Sequence, residues 1–72
     1  MVNTTAQTHE VAERVTAALG DRSVNWLATE TGIPRTTLVR RFKDGSFIVA
    51  ELIRIGAVLD TEPARFIEGV AA

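Results

Sequence analysis

Gly32 and Pro34 lie two residues apart in the middle of the chain, and they fix where one helix must end and the next can begin. Glycine closes a helix in the left-handed conformation at little cost, and the residue before a proline, here Ile33, is pushed out of the helical region. Proline itself is acceptable in the first turn of a helix. The middle of the chain is therefore predicted to be two helices joined by a tight turn.

Apolar residues recur at the three- and four-residue spacing of a helix on both sides of this turn. Ser23 is a good N-cap for a helix that runs to about Thr31. The next helix is predicted to begin at Arg35 and to bury one edge through Leu38 and Phe42. Its other faces are polar and cationic, so this helix must be held by one side and present the other outward.

The rest of the chain shows the same helical spacing, with no repeat and no linker. We predict further helices over residues 6–19, 48–59 and 64–70, a loop over residues 43–46 and a frayed terminus over residues 1–5. Gly56 is expected to allow a neighbouring segment to come close to the fourth helix. The prediction is a single all-α domain over residues 1–72, a compact bundle of about five short helices.

Composition limits what can hold such a bundle together. The chain has 72 residues, of which 46% are hydrophobic, with no cysteine and one histidine. A disulfide framework and a Cys/His zinc site are therefore excluded, and packing must supply the stability. His9 has no partner at metal or catalytic spacing, and no combination of acid, base and nucleophile stands out, so we expect no enzyme, cofactor or metal.

The chain contains neither an apolar run of about 18 residues nor a basic-then-apolar signal peptide. We therefore expect a cytoplasmic protein with no membrane partner and no small-molecule ligand. The net charge of -1 argues at first against nucleic acid. However, four of the eight Lys and Arg residues fall within residues 35–43, which contain no acid. The sequence thus predicts a local cationic patch on a slightly acidic protein.

The stretch at residues 27–38 reads LATETGIPRTTL, and it resembles the lambda-repressor and Cro-like family of phage and bacterial regulators. The segments FKDG at residues 42–45 and ELIRI at residues 51–55 resemble the family's next loop and fourth helix. The resemblance implies a helix-turn-helix over about residues 23–42 whose second helix enters the major groove of DNA.

Two residues depart from the family's pattern. Arg41 stands where the family often has an apolar residue, and Ile48 stands where Ser or Thr would cap the fourth helix together with Glu51. The rotation of the third helix and the start of the fourth depend on how these residues are accommodated.

The resemblance implies base contacts from Arg35, Thr36 and Arg40. Arginine donates two parallel hydrogen bonds to guanine, and threonine offers a hydroxyl and a methyl group. The alternative for the arginines is that they are solvated charges over a core. Contacts to phosphate are expected from residues at the ends of elements that flank the groove. These are Asn25, Thr37, Arg41, Lys43 and Ser46. Trp26 is expected to cover the first helix or to lie near the DNA backbone.

The last helix has two alternative roles. Phe66, Ile67 and Val70 form either a dimer interface or a closing layer of the monomer's core. Family members commonly pair on two half-sites about one helical turn apart, so we expect a homodimer that forms on a palindromic double-stranded DNA operator.

Two functions follow from these patterns. The first is a sequence-specific transcriptional regulator in the cytoplasm of a bacterial host cell, a Cro-like repressor that acts by occupying its operator. The second is a helical protein-interaction module, antitoxin-like or a host-takeover protein, that binds its partner through the apolar last helix.

Overall fold

The structure is a computed structural model that describes residues 4–68, with side chains from residue 9 onward. This part of the chain forms five α-helices and contains no strand, which confirms the all-α prediction. The helices are α1 Thr4–Leu19, α2 Val24–Thr31, α3 Arg35–Asp44, α4 Val49–Leu59 and α5 Ala64–Ile67.

The ends of three helices differ clearly from the predicted ones. Thr4 and Thr5 belong to α1, although the sequence predicted a frayed terminus over residues 1–5. Helix α3 continues to Asp44, so the loop predicted from residue 43 begins two residues later. Lys43 and Asp44 are polar but do not stop a helix, and the backbone leaves the helical conformation only at Gly45, whose N–H donates to the carbonyl of Arg41. The last helix ends at Ile67, three residues before the predicted end at Val70, because Glu68 leaves the helical conformation with ψ at 121°. Val70 itself lies outside the described residues.

The turn between α2 and α3 has the predicted form. Gly32 takes a φ of 78°, and its N–H donates to the carbonyl of Ala28 at 2.9 Å. The hydroxyl of Thr31 accepts from the N–H of Ile33 at 3.2 Å. Pro34 is extended, with ψ at 139°, and its carbonyl accepts the first hydrogen bond of α3 from Leu38 at 3.1 Å. The N–H groups of Gly32 and Ile33 are thus both paired, which helps to fix how α3 leaves α2.

One hydrophobic core joins all five helices. It consists of Val11, Val15, Leu19, Leu27, Ile33, Leu38, Leu52, Ile55 and Phe66. Helix α3 packs against α1 and α2, α4 packs against α2, and α5 packs against α1. The Cα radius of gyration is 11.5 Å, close to the about 11 Å expected of a folded chain of this length. The core therefore lies on one side of α3 and leaves its other side in solvent.

Gly56 allows the closest approach between α4 and the segment that follows it. A Cβ atom on Gly56 would overlap the backbone carbonyl of Thr61, whose N–H donates to the carbonyl of Gly56 at 2.8 Å. The predicted close approach is confirmed, and the neighbour is the backbone of the α4–α5 connection.

Arg14 ties α5 to α1. Its guanidinium donates to the carbonyl oxygens of Arg65, at 3.3 Å, and of Glu68, and also to the carboxylate of Glu10 at 3.2 Å. These carbonyls lie in and just after the last turn of α5, where a helix leaves acceptors unpaired. A four-residue helix is thereby held over the core by a side chain from the opposite end of the chain.

Candidate nucleic-acid interface

The outward face of α3 is exposed and cationic. We define it by its exposed side chains before the last residue of the helix, which are Arg35, Thr36, Val39, Arg40 and Lys43. At 100° per residue they span an arc of about 140°, with Arg35 and Arg40 at its two edges. All three predicted base-contact residues therefore lie on one exposed surface.

The inner side of α3 fixes the rotation of this face. Leu38 is 0% exposed and sits in the core. One turn later Phe42 packs against the core, with its ring edge-on to that of Phe47 at a centroid distance of 5.3 Å. Two anchors one helical turn apart hold a helix against rolling, so the direction of the outward face is set by packing.

Arg41 is bound to Glu51 across the junction between α3 and α4. Its Nε lies 2.9 Å from Oε1 and 3.2 Å from Oε2 of Glu51, and its Nη2 lies 3.1 Å from Oε2. The side chains are only 19% and 11% exposed. The structure thus places Arg41 in a charge-neutralising pair on the flank of α3, apart from the outward face, although the sequence predicted a phosphate contact.

The pair shifts the pKa of both partners. The hydrogen bond to Glu51 raises the pKa of Arg41, against the opposing effect of burial. Burial by itself would raise the pKa of Glu51, but the hydrogen bonds from Arg41 and from the N–H of Ile48 outweigh it, and the pKa is lowered. Both groups are therefore held in their charged forms.

Glu51 also completes the start of α4. The N–H of Ile48 donates to Oε1 of Glu51 at 3.1 Å, and the Ile48 side chain offers no acceptor in return. This is one half of a capping box. The two departures from the family's pattern, Arg41 and Ile48, are thus satisfied by the same carboxylate.

Ser46 has polar partners of its own. Its N–H and its hydroxyl both donate to Oδ1 of Asp44, at 2.9 and 2.6 Å, and its hydroxyl oxygen lies 3.4 Å from Nη1 of Arg41. The hydrogen bonds from the hydroxyl and backbone of Ser46 lower the pKa of Asp44. The predicted phosphate contact from Ser46 would therefore have to come from a hydroxyl that already bonds within the loop.

The remaining predicted phosphate contacts occupy three different surroundings. Lys43 lies on the outward face of α3, and Asn25 is exposed in the first turn of α2. Thr37 is half-buried and lines a shallow groove with Pro34 and Ile48, on the side of α3 that faces α4. Of these three, only Lys43 shares a surface with the predicted base contacts.

Trp26 carries a contact that the sequence analysis missed. The indole is half-buried against the core, and the guanidinium carbon of Arg22 lies 4.8 Å from its centroid. A cation over an aromatic ring at this distance is attracted to it. Arg22 lies before the N-cap of α2, outside any helix, so no helical spacing indicated this contact.

The residues predicted to form a dimer interface have different environments in the structure. Phe66 is 1% exposed and belongs to the core, whereas Ile67 is 44% exposed. Val70 lies outside the described residues. Phe66 therefore closes the monomer's core, the second of its two predicted roles.

An apolar surface that the sequence analysis did not anticipate lies on α4 and the residue before it. Ile48, Val49 and Ile53 are exposed by 52%, 64% and 52%. Ile48 fits the helical spacing of Leu52 and Ile55, which are buried. Its position as N-cap, outside the helix, turns it away from that stripe.

Neither a metal site nor a membrane span is found in the described part of the chain. No group of three or more His, Cys, Asp or Glu side chains there could hold a metal ion, and none of its helices is long and apolar enough to cross a membrane.

No family model, curated protein or solved structure matches the chain.

Proposed function

We propose that this chain is a sequence-specific regulator of transcription that binds double-stranded DNA and acts by occupying an operator, as Cro-like repressors do. In this proposal α2, the turn and α3 form a helix-turn-helix over about residues 23–42, with α3 in the major groove. The observation that carries the proposal is the outward face of α3, which is exposed and cationic on a helix anchored from its other side.

The chemistry of the outward face suits base recognition. Arg35 and Arg40 would each donate two hydrogen bonds to the O6 and N7 atoms of a guanine, and Thr36 would contact a base between them. Because the two arginines lie at opposite edges of the face, they would reach different base pairs when the helix axis follows the groove.

Charge supports a modest, salt-sensitive affinity. With Arg41 paired to Glu51, three cations remain on the outward face of a chain whose net charge is -1. Few phosphates would be neutralised by one protomer, so a homodimer on a palindromic operator would be needed for tight binding. Selectivity would then depend mainly on the contacts to bases.

A protein-interaction module is the second candidate, and the exposed apolar surface of Ile48, Val49 and Ile53 favours it. Apolar surface of this kind can bury against a partner protein. That function predicts no preference among DNA sequences.

The test is selection of bound duplexes from a random pool, with two matched double variants. Arg35→Ala with Arg40→Ala removes two exposed arginines from the outward face of α3, and Arg22→Ala with Arg65→Ala removes two exposed arginines outside that face. The total charge of the two variants is identical. We expect the wild type and the Arg22/Arg65 variant to enrich the same motif, and the Arg35/Arg40 variant to enrich none.

A salt titration against random duplex DNA separates the two candidate functions. For a DNA-binding protein, the logarithm of the binding constant falls linearly with the logarithm of the salt concentration. Absence of both salt-dependent binding and motif enrichment would refute the proposal and favour the interaction module. If both double variants lost DNA affinity equally, α3 would contribute only non-specific electrostatic attraction to DNA.

A further inference from the structure

Val39 is an exposed apolar side chain within the cationic outward face of α3. It is 42% exposed, and it follows Arg35 by four residues and precedes Lys43 by four. Residues at that spacing are neighbours on a helix surface. Its methyl groups therefore lie between the cations that would approach DNA.

Val39 does not belong to the hydrophobic core of the monomer. The core contacts of α3 are made by Leu38 and Phe42, and Val39 is not among the residues that pack against the core. On an exposed helical surface valine is a poorer helix former than alanine, because its branched side chain loses rotamer freedom. The apolar surface of Val39 is therefore open to a ligand of the outward face.

We propose that Val39 is a specificity-determining residue that recognises the C5-methyl group of a thymine in the major groove. The proposal rests on the DNA-binding function proposed above. The thymine methyl is the one apolar feature in the pattern that base pairs present in that groove. Arg35, Arg40 and Lys43 would bring Val39 to a polyanion, whereas a protein partner seated on Val39 would have to desolvate these same cations. A thymine is thus the occupant that suits both the apolar centre and its charged surroundings.

The experiment removes a methyl group from the DNA and the apolar part of the Val39 side chain from the protein. Each thymine of the selected operator is replaced in turn by deoxyuridine, which lacks only the C5-methyl group. For the wild type we expect affinity to fall about 4-fold at one position, as burial of a single methyl-sized group would give. Val39→Ser removes both methyl groups of the side chain and leaves a hydroxyl, and we expect it to bind the thymine and deoxyuridine operators equally at that position.

Val49→Ser is the matched control, because Val49 is exposed on α4 and undergoes the same chemical change. It should keep the 4-fold difference between the two operators. Val39→Asn provides a second variant with a polar side chain and no methyl group, and it should lose the difference too. Thermal unfolding checks that each variant remains folded.

The outcomes separate this inference from the proposed function. If the wild type selects no motif, the DNA-binding function itself is refuted. If it selects a motif but no thymine shows the methyl dependence, or if the dependence persists in both Val39 variants, the role of Val39 is refuted while the proposed function stands. Loss of the dependence in the Val49 variant as well would also overturn it.

Discussion

Leu38 and Val39 are neighbours in α3, as are Arg40 and Arg41, and the two members of each pair have opposite environments. Leu38 is 0% exposed and Val39 42% exposed. Arg40 is exposed on the outward face, whereas Arg41 is half-buried and bound to Glu51. One step along a helix turns a side chain by 100°, which is enough to exchange core for solvent.

This contrast between the inner and outer sides of α3 shows that residue type alone does not assign a role. Four cations stand within residues 35–43, but the rotation of the helix leaves one of them in an ion pair within the protein. The proposed interface is defined by that rotation, and the variants below test each side of it.

Leu38 and Val39 should show the largest difference in stability. Leu38→Ala leaves a cavity among fully buried neighbours and should lower the free energy of unfolding by about 3 kcal/mol, whereas exposed Val39→Ala should change it by less than about 0.5 kcal/mol. Urea unfolding followed by circular dichroism measures both. Similar losses in the two variants would mean that α3 is rotated differently from the orientation described.

Replacing Arg40 with alanine should affect DNA binding, whereas replacing Arg41 with alanine should affect stability. Arg40→Ala should weaken binding to the selected operator by about 1–3 kcal/mol and relax the preference at one base pair, while the melting temperature stays constant. Arg41→Ala should lower the melting temperature and leave the base preference in place, because its guanidinium is bound to Glu51. Binding-site selection and thermal unfolding of both variants are the measurements. A changed base preference for Arg41→Ala would contradict its assignment to the protein's own framework.

The sequence predicted the architecture well because its strongest signals are local. Gly32 and Pro34 determine the turn through backbone conformation, and Ser23 caps α2 through a hydrogen bond to the N–H of Trp26. Both signals act over three or four residues, so they can be read without knowing the fold. The end of α3 was less clear, because Lys43 and Asp44 are compatible with either a helix or a loop.

The pairing of Arg41 could not be predicted, because Glu51 lies ten residues away on another helix. The resemblance marked Arg41 as unusual at a position that is often apolar, but it did not indicate a partner. Phe66 had two predicted roles for a similar reason, since the choice between core and surface depends on how α5 packs against α1. The roles of Arg41 and Phe66 depend on contacts between helices, whereas the helices themselves could be predicted from the spacing of apolar residues.

Glu51→Gln tests the ion pair at the flank of α3 by its pH dependence. Because the pKa of Glu51 is lower in the folded protein, its ionised form stabilises the fold above its unfolded-state pKa, and this contribution disappears as pH falls through the folded-state pKa. Near pH 7 the Gln variant should be about 1 kcal/mol less stable, or about 4–8 °C lower in melting temperature. As the pH falls through the folded-state pKa of Glu51, the two proteins should converge. A constant difference across this range would show that the charge of Glu51 is not what stabilises the junction.

Lys43→Ala should have the smallest effect, and it tests whether the outward face extends to the last turn of α3. A contact to phosphate releases about one counterion, so the slope of log affinity against log salt should become shallower by about 1, with equal weakening on the operator and on random duplexes. Arg65→Ala removes the same charge from α5 and should leave the slope unchanged. A loss confined to the operator would instead make Lys43 a base contact, and would extend the specificity-determining part of α3 along the helix to its last turn.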